Sequence, residues 1–164
     1  MPTETIQVAA VTTPDQWTLG AGADKVVAVN GPDDDDTSYI YCSTSGRWET
    51  YSLAANAIPV GATINSVSVV SRGYKSSGST ARWAVGVLLG GSSTFGLTHF
   101  PASYTSYTET LARPGGGTWS VADLASVEVL VRFYNSGTIR VTSLWVSVDY
   151  TPPANTGQML EMFN

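Results

Sequence analysis

The sequence predicts an all-β fold: an antiparallel β-sandwich, jelly-roll-like, with about ten strands and one short helical turn. Three observations carry this. Apolar and polar residues alternate at period two over several stretches, the pattern of half-buried strands. Turn sequences rich in Gly, Pro, Asn and Ser separate those stretches at short intervals. The composition is also wrong for helices: charged residues make up only 13% of the 164 and Lys occurs twice, whereas long-helix chains are rich in Ala, Glu, Lys, Leu and Arg. Five Trp, eight Tyr and 43% hydrophobic residues supply core material, which excludes a disordered chain. The length suits one domain, with 1–151 as the sandwich and 152–164 as a C-terminal arm or tail.

The expected strands, in order, are 5–12, 25–29, 38–43, 47–53, 63–74, 81–89, 94–98, 104–109, 127–134 and 138–150. In 127–134, Val127, Val129, Val131 and Phe133 share one face, and Glu128, Leu130, Arg132 and Tyr134 the other. Trp83, Val85, Val87 and Leu89 alternate in the same way. In 138–150, Ile139 and Val141 have the opposite parity from Leu144, Val146 and Val148. A bulge near Thr142-Ser143 is therefore expected, since one extra residue flips the facing. Asn135-Ser136-Gly137, between two alternating runs, predicts a hairpin. Ser120 with Asp123 three residues on is a capping-box arrangement, predicting one helical turn that lets Trp119 and Leu124 close an end of the sandwich.

Charge and targeting signals narrow the function classes. The formal net charge is −5, and the six Arg and two Lys are scattered, so no basic patch for nucleic acid is expected. No apolar run approaches the ~20 residues of a membrane span. Met-Pro-Thr-Glu-Thr lacks the basic and apolar regions of a signal peptide, so the expectation is a chain made in a cytoplasm and kept there in solution or in an assembly. A surface of Ser, Thr, Gly and Tyr with few charges suits packed interfaces, where Lys and Glu are depleted.

The residues that could carry chemistry offer little. Cys42 reads as an inward strand residue beside Ile40, and a lone cysteine makes no intrachain disulfide. His99, the single histidine, has no nucleophile-elbow partner and no metal-ligand spacing. Glu49, Glu109 and Glu128 lie on expected strands with nothing in the sequence to pair them across a cleft. No enzyme activity and no cofactor are expected. Asp33, Asp34, Asp35 and Asp36 form the one charge cluster, a weak cation candidate that lacks the spacing of a calcium loop; the alternative is a solvated loop, with Asp36 turning into the next strand. The aromatic set Tyr39, Tyr41, Trp48, Tyr51, Tyr74, Trp83, Tyr104, Tyr107, Trp119 and Trp145 admits a sugar-stacking role. Trp145 has the parity of Ser143, Ser147 and Asp149, which points it outward, toward an interface, a second layer or a sugar. At the C-terminus, Pro152-Pro153 stops the last strand. Met159, Leu160, Met162 and Phe163 then form an apolar group that is either a frayed end or a docking arm.

The run Asp34-Asp35-Asp36-Thr37-Ser38-Tyr39-Ile40, the later Ile58-Pro59-Val60-Gly61-Ala62-Thr63-Ile64-Asn65-Ser66-Val67-Ser68-Val69, Ala81-Arg82-Trp83-Ala84-Val85, the turn at 118–124 and the closing strand at 141–150 resemble, in order, a β-sandwich module of tailed-phage virion proteins. The resemblance covers residues 24–151. It implies a structural role without catalytic residues, in the capsid or in a tail. For a single compact domain with an apolar arm, the expectation is a capsid decoration protein on the virion surface. It would be homotrimeric, would bind the major capsid protein and would stabilise the head. Its contacts would be Met159, Leu160, Met162, Phe163, Trp145, Ile6 and Val8. The alternative is a carbohydrate-binding or receptor-binding β-sandwich module of a phage tail or fibre, with a glycan partner.

Overall fold

The computed structural model describes residues 1–30 and 36–154, which build an antiparallel β-sandwich of ten strands with two short helices. The strands are β1 (Thr3–Asp15), β2 (Thr18–Ala21), β3 (Tyr39–Cys42), β4 (Trp48–Leu53), β5 (Thr63–Ser77), β6 (Arg82–Leu89), β7 (Ser92–Phe95), β8 (Thr105–Thr110), β9 (Glu128–Tyr134) and β10 (Thr138–Thr151). The helices are α1 (Lys25–Val29) and α2 (Val121–Leu124). In one sheet β10 is central. It pairs with β5 along its length, and β5 pairs in turn with β8. The other edge of β10 takes β3 at Ile139–Val141 and the start of β1 at Trp145–Asp149, with β2 beyond β3. The second sheet runs β1-β4-β9-β6-β7, so β1 belongs to both sheets and joins them.

Period two determines what each sheet buries. Ile139, Val141, Leu144, Val146 and Val148 from β10 face Val129, Val131 and Phe133 from β9 and Trp83, Val85 and Val87 from β6, all within one core. Each such side chain contributes roughly 1.5–3 kcal/mol on burial. The parity change in β10 is real: the β5 register shifts between Val141 and Ser143, and apolar residues on both sides of the shift point inward.

Three expectations need correction. Residues 25–29 form a helix instead of a strand: the Asp24 side chain caps it by accepting from Val27 N at 2.8 Å, Ala28 and Val29 are buried, and Val27 is 52% exposed. The loop 135–137 is not a hairpin turn, because β9 lies in one sheet and β10 in the other, so it arches across the sandwich. The tight hairpin is at Gly90-Gly91, where Leu89 pairs Ser92 and both glycines have positive φ (55° and 82°), as a two-residue turn between twisted strands requires. Ile6 and Val8, expected as partner contacts, are each 2% exposed. They belong to the strand that links the sheets, and their side chains lie in the core.

The expected turn at 119–124 is α2, with its capping box formed: Ser120 Oγ accepts from Asp123 N, and the Asp123 carboxylate accepts from Ser120 N. Leu124 is buried, and Trp119 Nε1 donates to Leu111 O at 3.1 Å.

Candidate functional site

The outer face of the β10 sheet carries the richest surface chemistry. Register lines up Tyr74 on β5, Arg140 on β10, Tyr41 on β3 and Thr18 on β2 in one row. Arg140 lies between buried Ile139 and Val141, Tyr41 between buried Ile40 and Cys42, and Tyr74 follows buried Gly73. Their own side chains must therefore point away from the core. Tyr39, two residues before Tyr41 on the same face, lies over β2. Gly20 makes room for it: a Cβ there would sit 2.0 Å from the Tyr39 ring.

These residues line a cleft of about 580 Å³, completed by Leu19, Ser76, Ser77 and Thr138. The Arg140 guanidinium carbon lies 4.3 Å from the Tyr39 ring centroid and 5.9 Å from that of Tyr74. The Tyr74 ring in turn meets Tyr104 at 4.3 Å, and Arg72 lies 5.8 Å from the Tyr104 ring. Burial, with Tyr74 adding to it, raises the Tyr104 phenol above its usual value, so it stays a neutral hydroxyl at ordinary pH. The outcome is a polar, tyrosine-walled trough with hydroxyl groups on its floor and rim.

Asp36 borders this face and is spent within the fold. Its two carboxylate oxygens accept from Arg72 Nε and a terminal nitrogen at 2.9 and 2.8 Å, and Thr142 Oγ1 donates to it at 3.3 Å. Asp33, Asp34 and Asp35 lie outside the described residues, as do Met159, Leu160, Met162 and Phe163. Among the described residues no three His, Cys, Asp or Glu side chains group as metal ligands. Trp145 points outward and is half-buried, in a row with Gln7, Val70 and Thr108 across the sheet.

The glutamates do not converge. Glu49 is fully buried; its Oε2 accepts from Gln16 N and Trp17 N, both at 2.7 Å, and its Oε1 from Lys25 Nζ at 2.8 Å. Lys25 also bonds Asp15. Burial raises the Glu49 carboxyl above its usual value, opposed by Lys25 and the two amides. Glu109 accepts from Leu97 N and lies 3.1 Å from His99 Nε2. His99 is stacked on Tyr107 at 3.8 Å, and burial lowers its pKa against the pull of Glu109. Glu128 stands on β9, in the other sheet from Glu109. Cys42 is buried, as its parity predicts, and burial raises its thiol pKa.

Four tyrosines of this face, Tyr39, Tyr41, Tyr74 and Tyr104, belong to the aromatic set visible in the sequence. Arg140 was missed there, because scattered arginines give no signal. Its outward parity between Ile139 and Val141 was available, but its placement among tyrosines depends on pairing with strands some 65 and 100 residues away.

No family model and no curated protein matches the chain. Among solved structures, the C-terminal family 22 carbohydrate-binding module of a Clostridium thermocellum protein has a TM-score of 0.49 at 11% identity, covering 85% of this chain and 84% of that one. The family 11 carbohydrate-binding module from Clostridium thermocellum, solved with a β-1,3-1,4-mixed-linked tetrasaccharide, has a TM-score of 0.47 at 10% identity, covering 93% and 99%. A xylan-binding domain from Paenibacillus barcinonensis has a TM-score of 0.45 at 8% identity, covering 83% and 87%. The class defined by this chain's own strands and side chains is a β-sandwich with a tyrosine-walled cleft on one outer face.

Proposed function

We propose that this chain is a carbohydrate-binding module, whose ligand lies in the cleft across β2, β3, β10 and β5. The observation that supports this is the wall of Tyr39, Tyr41 and Tyr74 around a trough of about 580 Å³, a size suited to small ligands. A sugar ring presents C–H groups on its faces and hydroxyls at its rim. Tyrosine meets both, with an apolar ring face and a polar tip, while Ser76, Ser77 and Thr138 supply hydroxyls that donate or accept. A trough of this polarity offers little to an apolar ligand.

Of the contacts expected for a capsid decoration protein, Ile6 and Val8 are core residues, and those of the tail lie outside the described residues. Trp145 is half-buried at the described surface. The test is affinity electrophoresis through gels containing a panel of soluble polysaccharides, followed by calorimetry on any that retard the protein. Tyr41→Ala and Tyr74→Ala should each weaken binding about fivefold or more, the lower end of the about 1–3 kcal/mol that a base stacked on an aromatic ring contributes. Retardation by no polysaccharide, or variants that bind like the parent, would overturn the proposal.

A further inference from the structure

We infer that the cleft selects an acidic sugar, one that carries a carboxylate or sulfate group, and that Arg140 is the residue that reads the charge. The inference rests on the glycan-binding function proposed above and names the chemical class of its ligand.

Among the described residues Arg140 is the single charged residue lining the cleft. Three other cations of the fold are matched in ion pairs: Arg72 with Asp36, Arg113 with Asp123, and Lys25 with Asp15 and Glu49. No carboxylate among the described residues stands within ion-pair distance of Arg140. Its neighbours are instead tyrosines, with the Tyr39 ring at 4.3 Å, the Tyr74 ring at 5.9 Å and the Tyr104 hydroxyl as a hydrogen-bond partner. A guanidinium carries five N–H donors in a fork, so with one directed to Tyr104 and the rings contributing cation–π contact, N–H groups remain for a partner in the cleft. That fork matches a carboxylate or sulfate with two parallel charge-assisted hydrogen bonds. In a chain of net charge −5, a cation that lines the trough without a carboxylate partner among the described residues gives the cleft a local positive potential.

The opposite sheet provides an internal comparison. Arg132 is also surrounded by rings, with Trp48, Phe95 and Tyr134 at 5.2, 5.9 and 5.0 Å. There the rings close over the side chain and its Nε is buried, an arrangement that serves packing. Arg140 differs in facing a cleft.

Calorimetry should use matched pairs: oligogalacturonate, oligomannuronate and glucuronic-acid-substituted xylo-oligosaccharide, each beside its carboxyl-reduced form, and a sulfated galacto-oligosaccharide beside its desulfated form. The parent protein should bind at least one acidic member tenfold or more tighter than its neutral counterpart, with affinity falling between 50 and 300 mM salt. Which pair gives the preference separates carboxylate from sulfate. In R140Q that ratio should fall to about one, and R140K, which keeps charge without the fork, should recover only part of it. Melting curves of both variants check that they fold. Equal binding of acidic and neutral members, or an undiminished ratio in R140Q, overturns the inference while leaving glycan binding standing. Absence of binding to every sugar, charged and neutral, overturns both.

Discussion

Glu49→Ala gives the sharpest test of how the sandwich is held together. Glu49 is fully buried and serves three donors, Gln16 N and Trp17 N at 2.7 Å and Lys25 Nζ at 2.8 Å. Truncation strands the buried Trp17 amide, at about 1–3 kcal/mol for an unsatisfied donor. It also takes from Lys25, whose side chain is 18% exposed, its buried partner. Breaking a buried pair costs about 3–5 kcal/mol, but Lys25 keeps Asp15 at the surface, so the pair's loss falls at the low end. The total expected loss is about 4–6 kcal/mol, or roughly 8–24 °C in melting temperature for a domain of this size. Urea unfolding followed by tryptophan fluorescence reads it. Glu49→Gln keeps an acceptor for the amides and should cost about 1–2 kcal/mol. In a double-mutant cycle, Lys25→Met with Glu49→Ala should cost less than the two singles together. An E49A protein within about 0.5 kcal/mol of the parent would refute the assignment of Glu49 as the clamp between β4, α1 and the β1–β2 turn, since that change is what an ordinary surface substitution produces.

Three further outcomes follow from the same geometry. The Arg113 guanidinium, with help from Ser120, holds the Asp123 carboxyl down at about 2, against an ordinary value of 3.8. A depressed carboxyl stabilises the fold above its unfolded pKa and loses that contribution as pH falls through the folded one. Stability should therefore decline between pH 3.8 and about 2, and Asp123→Asn should flatten that part of the curve; an unchanged slope in urea titrations across the window counts against it. Cys42, 4% exposed and with its thiol pKa raised by burial, should react with a colorimetric thiol reagent only after unfolding; prompt reaction in native buffer would contradict the burial. Gly20→Ala should push the Tyr39 ring off β2 and weaken glycan binding severalfold while shifting the melting temperature by only a few degrees; unchanged affinity would mean that Tyr39 is dispensable.

What the sequence exposed and what it hid follow from the range of the interactions involved. Alternation is local, so the inward faces of β6, β9 and β10 could be read residue by residue, as could the parity flip at Thr142 and the capping box of Ser120 and Asp123. The 25–29 segment misleads because β-branched Val26, Val27 and Val29 favour strand, and the Asp24 cap that decides for helix is one hydrogen bond. The loop 135–137 misleads because three residues with a glycine serve an arch as well as a hairpin. Which sheet receives the chain depends on β3, β5 and β1, all remote in sequence. Ile6 and Val8 could not be told from surface contacts without knowing that their strand is shared between sheets. The cleft was hidden for the same reason: its residues come from four strands, and only register brings them together.

The parity flip in β10 also explains how one strand can serve core and cleft together. Arg140 and Trp145 are five residues apart, so in a regular strand they would face opposite sides. The shift between Val141 and Ser143 removes the conflict: Ile139 and Val141 point inward before it, Leu144, Val146 and Val148 after it, and Arg140 and Trp145 both point outward. The same position is where the free edge of β10 changes partner, from β3 at Val141 to β1 at Trp145. Bulges locally bend a strand and increase its twist, which gives the two neighbouring strands different directions along one edge. The cleft opens on the β3 side of that change, where β2 and β3 carry Gly20, Tyr39 and Tyr41 over toward Arg140. Deleting Thr142 isolates the bend from the facing. With the core half of β10 fixed by Leu144, Val146 and Val148, Arg140 and Trp145 would stand four residues apart and share the outer face of a regular strand, so Val141 stays inward and Arg140 stays in the trough, while the bulge that coincides with the change of partner from β3 to β1 is lost.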